Sequence, residues 1–108
     1  MKDDPGSQDR DNIAGLEFEW YPAKARENFR KHGVSFEEAI TIFGDPRLLT
    51  APDIQHSSEE ERFLAIGRSE QERLITLIYT ERDERIRIIS ARLAEKWERR
   101  EYEIDNEQ

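Results

Sequence analysis

The sequence contains no cysteine and only two histidines among its 108 residues. The absence of cysteine excludes a disulfide framework, a zinc ribbon and a thiol nucleophile. Two histidines, His32 and His56, are too few for a histidine-rich metal site. We therefore expect an intracellular protein without a histidine-rich metal site.

Long apolar segments are also missing. No apolar run approaches the roughly 20 residues that a membrane-spanning helix needs. The first 15 residues, MKDDPGSQDRDNIAG, lack the basic-then-apolar order of a signal peptide. These absences predict a cytoplasmic protein that contacts no membrane.

Apolar residues are scarce, at 35% of the chain, whereas charged residues make up 39%. The apolar residues nevertheless cluster in alternating and helical patterns, which indicates a folded chain. The length suits one domain. We expect a flexible polar leader over residues 1–15, a single domain over 16–104 and an acidic tail over 105–108.

The N-terminal half of this domain predicts a strand followed by two helices. Alternating apolar residues indicate a strand over 16–20, and Pro22 suits the first position of a helix that ends before Gly33. The sequence SFEE, from Ser35 to Glu38, has the pattern of a capping box that begins a second helix. The turn sequence GDP ends that helix.

The C-terminal half predicts a sheet and a closing helix. A short strand within 47–52 precedes a loop, and three further strands over 61–69, 73–80 and 85–90 form an antiparallel meander. We expect the last helix, over 91–104, to pack through Leu93, Trp97 and Ile104. The predicted fold class is α+β, with a mainly antiparallel sheet.

The segment from Arg82 to Arg100 is rich in arginine, with seven cations against four anions, although the whole chain carries a net charge of −8. That overall charge argues against indiscriminate binding of nucleic acid, because such binding depends on neutralising phosphates. A local basic cleft remains compatible with it.

Strand parity gives these arginines two interpretations. Parity places Ile86, Ile88 and Ser90 on one face of the last strand and Arg85, Arg87 and Ile89 on the other. If the faces of neighbouring strands coincide, Arg68, Tyr79 and Arg87 share a surface with Arg92 beside it. In the first interpretation, the arginines face solvent and pair across strands with glutamates; the candidate glutamates are Glu61, Glu72 and Glu81. In the second interpretation, the arginines form a phosphate site, which suits the planar fork of donors on a guanidinium group.

The sequence RKHG, residues 30–33, also allows two interpretations. A helix C-terminus favours positive charge, which suits His32 to act as a general acid or a phosphate ligand. Alternatively, His32 has no function beyond its position at the helix end, because a histidine is common just before the glycine that ends a helix.

Three blocks of sequence resemble the BrnT family, the toxin half of a bacterial type II toxin–antitoxin pair. They are FEWYPAKARENFRKHGVSFEEAITIF (18–43), ERFLAIGRS (61–69) and RIRIISARLAEKWERREYE (85–103). The resemblance implies a RelE-like fold and a ribonuclease that cuts RNA to stop translation. It also implies neutralisation by a BrnA-like antitoxin, a dimer with a ribbon-helix-helix DNA-binding part, so that operator DNA is bound only through the antitoxin.

The family pattern falls on Lys31 and His32 in RKHG, on Arg68 in IGRS, and on Ser90 and Arg92 in ISAR, with Arg87 in the preceding strand. Under this resemblance Arg68 and Arg87 would stabilise charge on the phosphate. Lys31 and Arg92 would anchor the substrate, and His32 would be the acid or base.

The candidate catalytic residues are therefore His32, Arg68, Arg87 and Arg92, and the candidate substrate-binding residues are Lys31, Tyr79 and Ser90. Tyr79 rests on strand parity alone. The same arginine surface could instead bind only an antitoxin, which would make the protein a catalytically silent partner. A small-molecule enzyme has little support, because the sequence contains no cofactor motif.

Overall fold

The computed structural model describes residues 9–56 and 60–105. Within them the chain forms a six-stranded sheet and three α-helices. The strands are β1 (Asp9–Ile13), β2 (Leu16–Trp20), β3 (Leu49–Pro52), β4 (Phe63–Arg68), β5 (Leu74–Arg82) and β6 (Arg85–Leu93). The helices are α1 (Pro22–His32), α2 (Phe36–Ile40) and α3 (Lys96–Asp105), with 3₁₀ turns at Thr41–Gly44 and Ile54–His56. None of the helices in these ranges is long and apolar enough to cross a membrane.

The strands follow the order β1-β2-β6-β5-β4-β3. Strands β4 to β6 form the predicted antiparallel meander, and β3 pairs antiparallel with β4 at its edge. β2 enters the sheet beside β6 in the parallel direction and pairs with it only at Phe18–Ile86 and Glu19–Arg87. The α+β class and the mainly antiparallel sheet are confirmed, and β6 has an open edge beyond residue 87.

Residues 9–13, which were predicted to belong to a flexible leader, form strand β1 instead. β1 pairs antiparallel with β2 through a tight turn at Ala14 and Gly15, both with positive φ (55° and 79°). Two successive residues of positive φ are typical of a hairpin turn that matches the twist of the strands. The rest of the expected leader, residues 1–8, lies outside the described residues, as do residues 106–108 of the expected tail.

The main core lies between one face of the sheet and helices α1 and α2. α1 has the predicted bounds, because Pro22 occupies its first turn and Gly33 (φ 71°) ends it with an N–H donated to the carbonyl of Phe29. Aromatic rings fill the end of the core near β4 and β5; the contacting pairs are Phe18–Phe43, Phe43–Tyr79 and Phe63–Tyr79.

Helix α3 covers part of the opposite face, but not through the predicted residues. It begins at Lys96, because residues 91–93 continue β6. Leu93, Trp97 and Ile104 are 45%, 54% and 56% exposed, whereas Glu98 and Tyr102 face the sheet. The predicted apolar stripe is therefore wrong, and the helix packs through one buried carboxylate and one tyrosine.

The capping box is only half formed. The Ser35 hydroxyl accepts the Glu38 N–H (3.0 Å), as predicted. The Glu38 carboxylate does not return to the helix start; it is buried and accepts hydrogen bonds from the Ser69 hydroxyl (2.7 Å) and from Arg73 Nε (3.0 Å). Glu38 therefore joins α2 to the turn between β4 and β5.

Glu38 should make the stability of the protein sensitive to acid. The hydrogen bond from Arg73, supported by that from Ser69 and opposed by burial, lowers the pKa of Glu38 below its ordinary value of 4.5. A carboxylate whose pKa is lower in the folded state than in the unfolded state stabilises the fold at pH values above its unfolded-state pKa. This stabilisation is lost as the pH falls through the folded-state pKa. We expect the free energy of unfolding, measured in urea, to fall below about pH 4.5. This fall should be smaller in Glu38→Gln.

Glu37→Gln makes the same chemical change at the exposed neighbouring position and serves as the control. An equal loss of stability between pH 7 and pH 3 in wild type and Glu38→Gln would contradict this role of Glu38.

Candidate functional site

A β-bulge in β6 determines which side chains of that strand lie on each face of the sheet. Ser90 lies opposite Ile78 of β5, but Ile88 lies opposite the next residue, Tyr79, so Ile89 has no partner. A bulge shifts the alternation of the strand by one residue. The predicted parity is therefore wrong for Ser90, which leaves the face of Ile86 and Ile88 and joins the opposite face. The residues on that face are Arg85, Arg87, Ser90 and Arg92.

Tyr79 lies on the other side of the sheet, inside the main core. It is 5% exposed, and its ring lies 5.7 Å from that of Phe43 and 5.5 Å from that of Phe63. Burial raises the pKa of its hydroxyl above 10.0. The prediction that Tyr79 lies on one surface with Arg68 and Arg87 is therefore wrong. Tyr79 packs in the core and cannot contact a substrate there.

Arg87 is held by groups from the neighbouring strand β2 and the residue that follows it. Its Nη2 lies 3.0 Å from Oε2 of Glu19, the residue directly opposite in the parallel pair, and its Nη1 donates to the Tyr21 hydroxyl (2.9 Å). The guanidinium also lies 5.0 Å from the centre of the Tyr21 ring. Cross-strand pairing with a glutamate was one of the two interpretations of these arginines, but the partner of Arg87 is Glu19 and not Glu61, Glu72 or Glu81.

Arg92 is held by α3. Its two terminal nitrogens donate to the two carboxylate oxygens of Glu98 at 2.7 and 2.8 Å. Glu98 is 1% exposed and also accepts the Thr76 hydroxyl (2.9 Å) and the Glu95 N–H (2.8 Å). Burial alone would raise the pKa of Glu98, but the hydrogen bonds, with that from Arg92 first, outweigh it and lower the pKa. Arg92 therefore keeps a fixed position while about a third of its side chain (32%) stays exposed to solvent.

A buried asparagine joins α1 to the open edge of β6. The Asn28 amide donates to the carbonyl of Ala91 (2.8 Å) and to that of Val34 (3.0 Å), and its oxygen accepts the Ala91 N–H (3.1 Å). The side chain thus takes the place of a neighbouring strand at this point. Sequence reasoning missed Asn28, because an asparagine within a charged helix carries no signal of this role.

Between α1 and this edge lies a cleft of about 290 Å³. Its lining brings together three predicted residues, Lys31, His32 and Ser90, and adds Lys24, which was not predicted. Lys24, Lys31 and His32 are exposed, and within the described ranges none of the three makes a hydrogen bond or a salt bridge. The cleft therefore presents two ammonium groups and an imidazole to an anionic ligand, and its lining also includes the carboxylate of Glu27, which pairs with Arg30.

Arg68 lies in a different cleft, at the end of β4. Its N–H donates to Oδ2 of Asp45 (2.8 Å), which also accepts the Tyr102 hydroxyl (2.7 Å), and its guanidinium lies 5.8 Å from the Tyr102 ring. Arg68 pairs with Leu74, so it shares the sheet face of Arg87 and Arg92. The structure does not bring Arg68 and His32 into one cleft.

The described residues contain no cluster of histidine, aspartate and glutamate side chains that could hold a metal ion. The cations of the arginine-rich segment divide into two groups. Arg85, Arg87 and Arg92 are paired with glutamates, whereas Arg82 at the end of β5 and Lys96, Arg99 and Arg100 on α3 are exposed.

The mixed sheet, its two N-terminal helices and the cations around β6 define a small α+β domain with cations in a cleft at one edge of the sheet. The family model described as "Ribonuclease toxin, BrnT, of type II toxin-antitoxin system" matches residues 20–98. The chain therefore belongs to the BrnT family of ribonuclease toxins.

A solved structure supports the fold. The crystal structure of the Brucella abortus ribonuclease toxin BrnT, at 1.1 Å resolution, superimposes with a TM-score of 0.55 and 22% sequence identity. The match covers 71% of this chain and 94% of the Brucella chain. No curated protein sequence gives a significant match.

Proposed function

We propose that the protein is a metal-independent endoribonuclease that acts at β6 and inhibits translation. One observation supports this site above others. The bulge at Ile89 brings Arg87, Ser90 and Arg92 to one face of β6, next to the cleft that contains Lys31 and His32. Two guanidinium groups, a hydroxyl, an ammonium and an imidazole around one strand form a suitable environment for an RNA phosphate.

The reaction uses the nucleophile that RNA carries. A base removes the proton of the 2′-hydroxyl, whose oxygen forms a bond to the adjacent phosphorus while the bond from phosphorus to the 5′-oxygen breaks. An acid then protonates the leaving 5′-oxygen, so the products are a 2′,3′-cyclic phosphate and a 5′-hydroxyl. In this proposal His32 transfers the proton, and Arg87 and Arg92 stabilise the additional negative charge on the phosphate.

The remaining candidates bind the substrate. Lys31 contacts the backbone next to the reacting phosphate, and Ser90 donates a hydrogen bond at the bulge. Arg68, in its separate cleft on the same sheet face, binds the RNA backbone farther along the strand. An arginine is unsuitable as the base, because its pKa lies above about 12.

The partner in this proposal is a BrnA-like antitoxin with a ribbon-helix-helix part. Operator DNA is bound only through that antitoxin, because a chain with a net charge of −8 repels a DNA duplex. Membership of a type II toxin–antitoxin family supports an antitoxin partner.

A second candidate function is a catalytically silent module that only binds its antitoxin. Arg87 and Arg92 favour this alternative, because each already pairs with a buried carboxylate, Glu19 or Glu98. Such pairing fixes the arginines but reduces the net charge that they present to a phosphate.

Growth separates the two functions. Expression of the chain alone should arrest growth and reduce the synthesis of labelled protein, and co-expression of a small ribbon-helix-helix protein from an adjacent reading frame should restore both. His32→Gln, checked for folding by circular dichroism, should not arrest growth. A folded wild-type chain that binds the antitoxin but never slows growth would support the silent module.

A further inference from the structure

Trp97 is an exposed tryptophan next to the proposed site. It lies in the first turn of α3 and is 54% exposed, whereas the other tryptophan, Trp20, is 2% exposed. Within the described residues its ring contacts no other aromatic ring and no guanidinium group. Large aromatic side chains usually bury most of their area, so this exposure needs an explanation.

The indole is connected to Arg92 through one glutamate. Trp97 Nε1 donates to Oε1 of Glu95 (3.3 Å), and the other oxygen of Glu95 lies 3.9 Å from Nη1 of Arg92. Arg92 is in turn fixed by Glu98. The polar edge of the indole thus has a partner, and that partner connects Trp97 to an arginine of the proposed phosphate site.

Resting on the ribonuclease function proposed above, we propose that Trp97 binds a nucleobase of single-stranded RNA by stacking, next to the phosphate bound at Arg92. Proteins bind single-stranded RNA by stacking its bases on exposed aromatic rings while cations contact its backbone. Both components are present here, because Lys96, Arg99 and Arg100 are exposed on the same helix.

The charge around Trp97 favours RNA over an apolar protein segment as its occupant. The exposed residues within four positions of it are three cations, Lys96, Arg99 and Arg100, two anions, Glu95 and Glu101, and one apolar residue, Leu93. The next exposed apolar residue of the helix is Ile104, about two turns away. An exposed aromatic ring with three cations close by matches a base and its phosphates better than it matches a continuous apolar surface.

Tryptophan fluorescence tests the stacking directly. Trp20→Phe leaves Trp97 as the sole tryptophan, and the probe is a single-stranded 2′-O-methyl oligoribonucleotide, which can bind but lacks the attacking hydroxyl. We expect the oligonucleotide to quench the emission of Trp97, and inorganic polyphosphate, an anion without bases, to leave it unchanged. Oligonucleotide binding without quenching would overturn the proposal.

Two replacements of Trp97 separate stacking from general apolar contact, with affinity measured by the anisotropy of a labelled oligonucleotide. Trp97→Phe keeps an aromatic ring and should bind almost as tightly as wild type. Trp97→Leu keeps an apolar side chain without a ring and should bind on the order of tenfold more weakly. Unchanged oligonucleotide affinity in Trp97→Leu would overturn the proposal, and a loss of affinity for the antitoxin alone would assign the residue to a protein partner.

The outcome is independent of the cleavage reaction. If Trp97 is quenched but unmodified RNA is never cut, the ribonuclease function fails while RNA stacking stands. If RNA is cut but Trp97 is not quenched, the ribonuclease function stands and the stacking proposal fails.

Discussion

Replacement of Arg92 by alanine should lower kcat/KM for RNA cleavage by about 10² to 10³. In the proposed site Arg92 is a preorganised donor, because both oxygens of Glu98 hold its guanidinium before the substrate arrives. A donor fixed in advance stabilises the charge that develops on the phosphate without reorganisation during the reaction.

Arg73→Ala is the matched control for this change. Arg73 also forms a two-point contact with a buried carboxylate, that of Glu38, and lies outside β6, although its Nη2 also donates to the carbonyl of Gly33, the residue after His32 (3.1 Å). Each replacement leaves a buried glutamate without its main partner and should destabilise the fold by roughly 1 to 3 kcal/mol. Activity is therefore compared per folded molecule, below the unfolding temperature of both variants. Equal losses of activity in the two variants would mean that Arg92 acts only through stability.

Replacement of His32 by glutamine should lower kcat by about 10² to 10⁴ and leave KM nearly unchanged. Glutamine keeps a polar side chain of similar size but cannot take up or release a proton near neutral pH. His32 is exposed at the end of α1, so the replacement should not affect folding.

The comparison for His32→Gln is Arg26→Gln, which alters an exposed cation of the same helix outside the cleft. It should retain wild-type kcat. If His32→Gln and Arg26→Gln both keep wild-type kcat, His32 is only a residue at a helix end, and the proton must be transferred by another group.

The sequence predicts those elements whose signals are local. The bounds of β2 and α1 are predicted correctly, because Pro22 and Gly33 act through their own backbone preferences. The class of the sheet is likewise evident from the three alternating C-terminal segments.

Long-range polar contacts are what sequence patterns could not predict. Glu98 reads as a solvent-facing residue of α3, and only its contacts with Arg92 and Thr76 make its burial favourable. Because carboxylates usually face solvent, the sequence prediction placed the wrong face of α3 against the sheet and treated Trp97 as buried. The sequence prediction therefore did not identify Trp97 as a residue that could stack on a base.

The candidate site was predicted only in part for a related reason. The consecutive residues Ile88 and Ile89 fit either face of a strand, so no pattern indicates where the bulge falls. Without the bulge Ser90 is assigned to the core side and Tyr79 to the surface. The partner of Arg87 is Glu19, 68 residues away in the chain, whereas sequence reasoning considered only nearby glutamates.

The central claim is best tested by incubating a long single-stranded RNA with the purified wild-type protein in EDTA and identifying the ends of the products. The same RNA with every 2′-hydroxyl methylated is the control. We expect an equal cleavage rate with and without EDTA, 2′,3′-cyclic phosphate and 5′-hydroxyl ends, and no cleavage of the methylated RNA. Cleavage that EDTA abolishes and Mg²⁺ restores, or products with 5′-phosphate ends, would contradict a metal-independent attack by the 2′-hydroxyl.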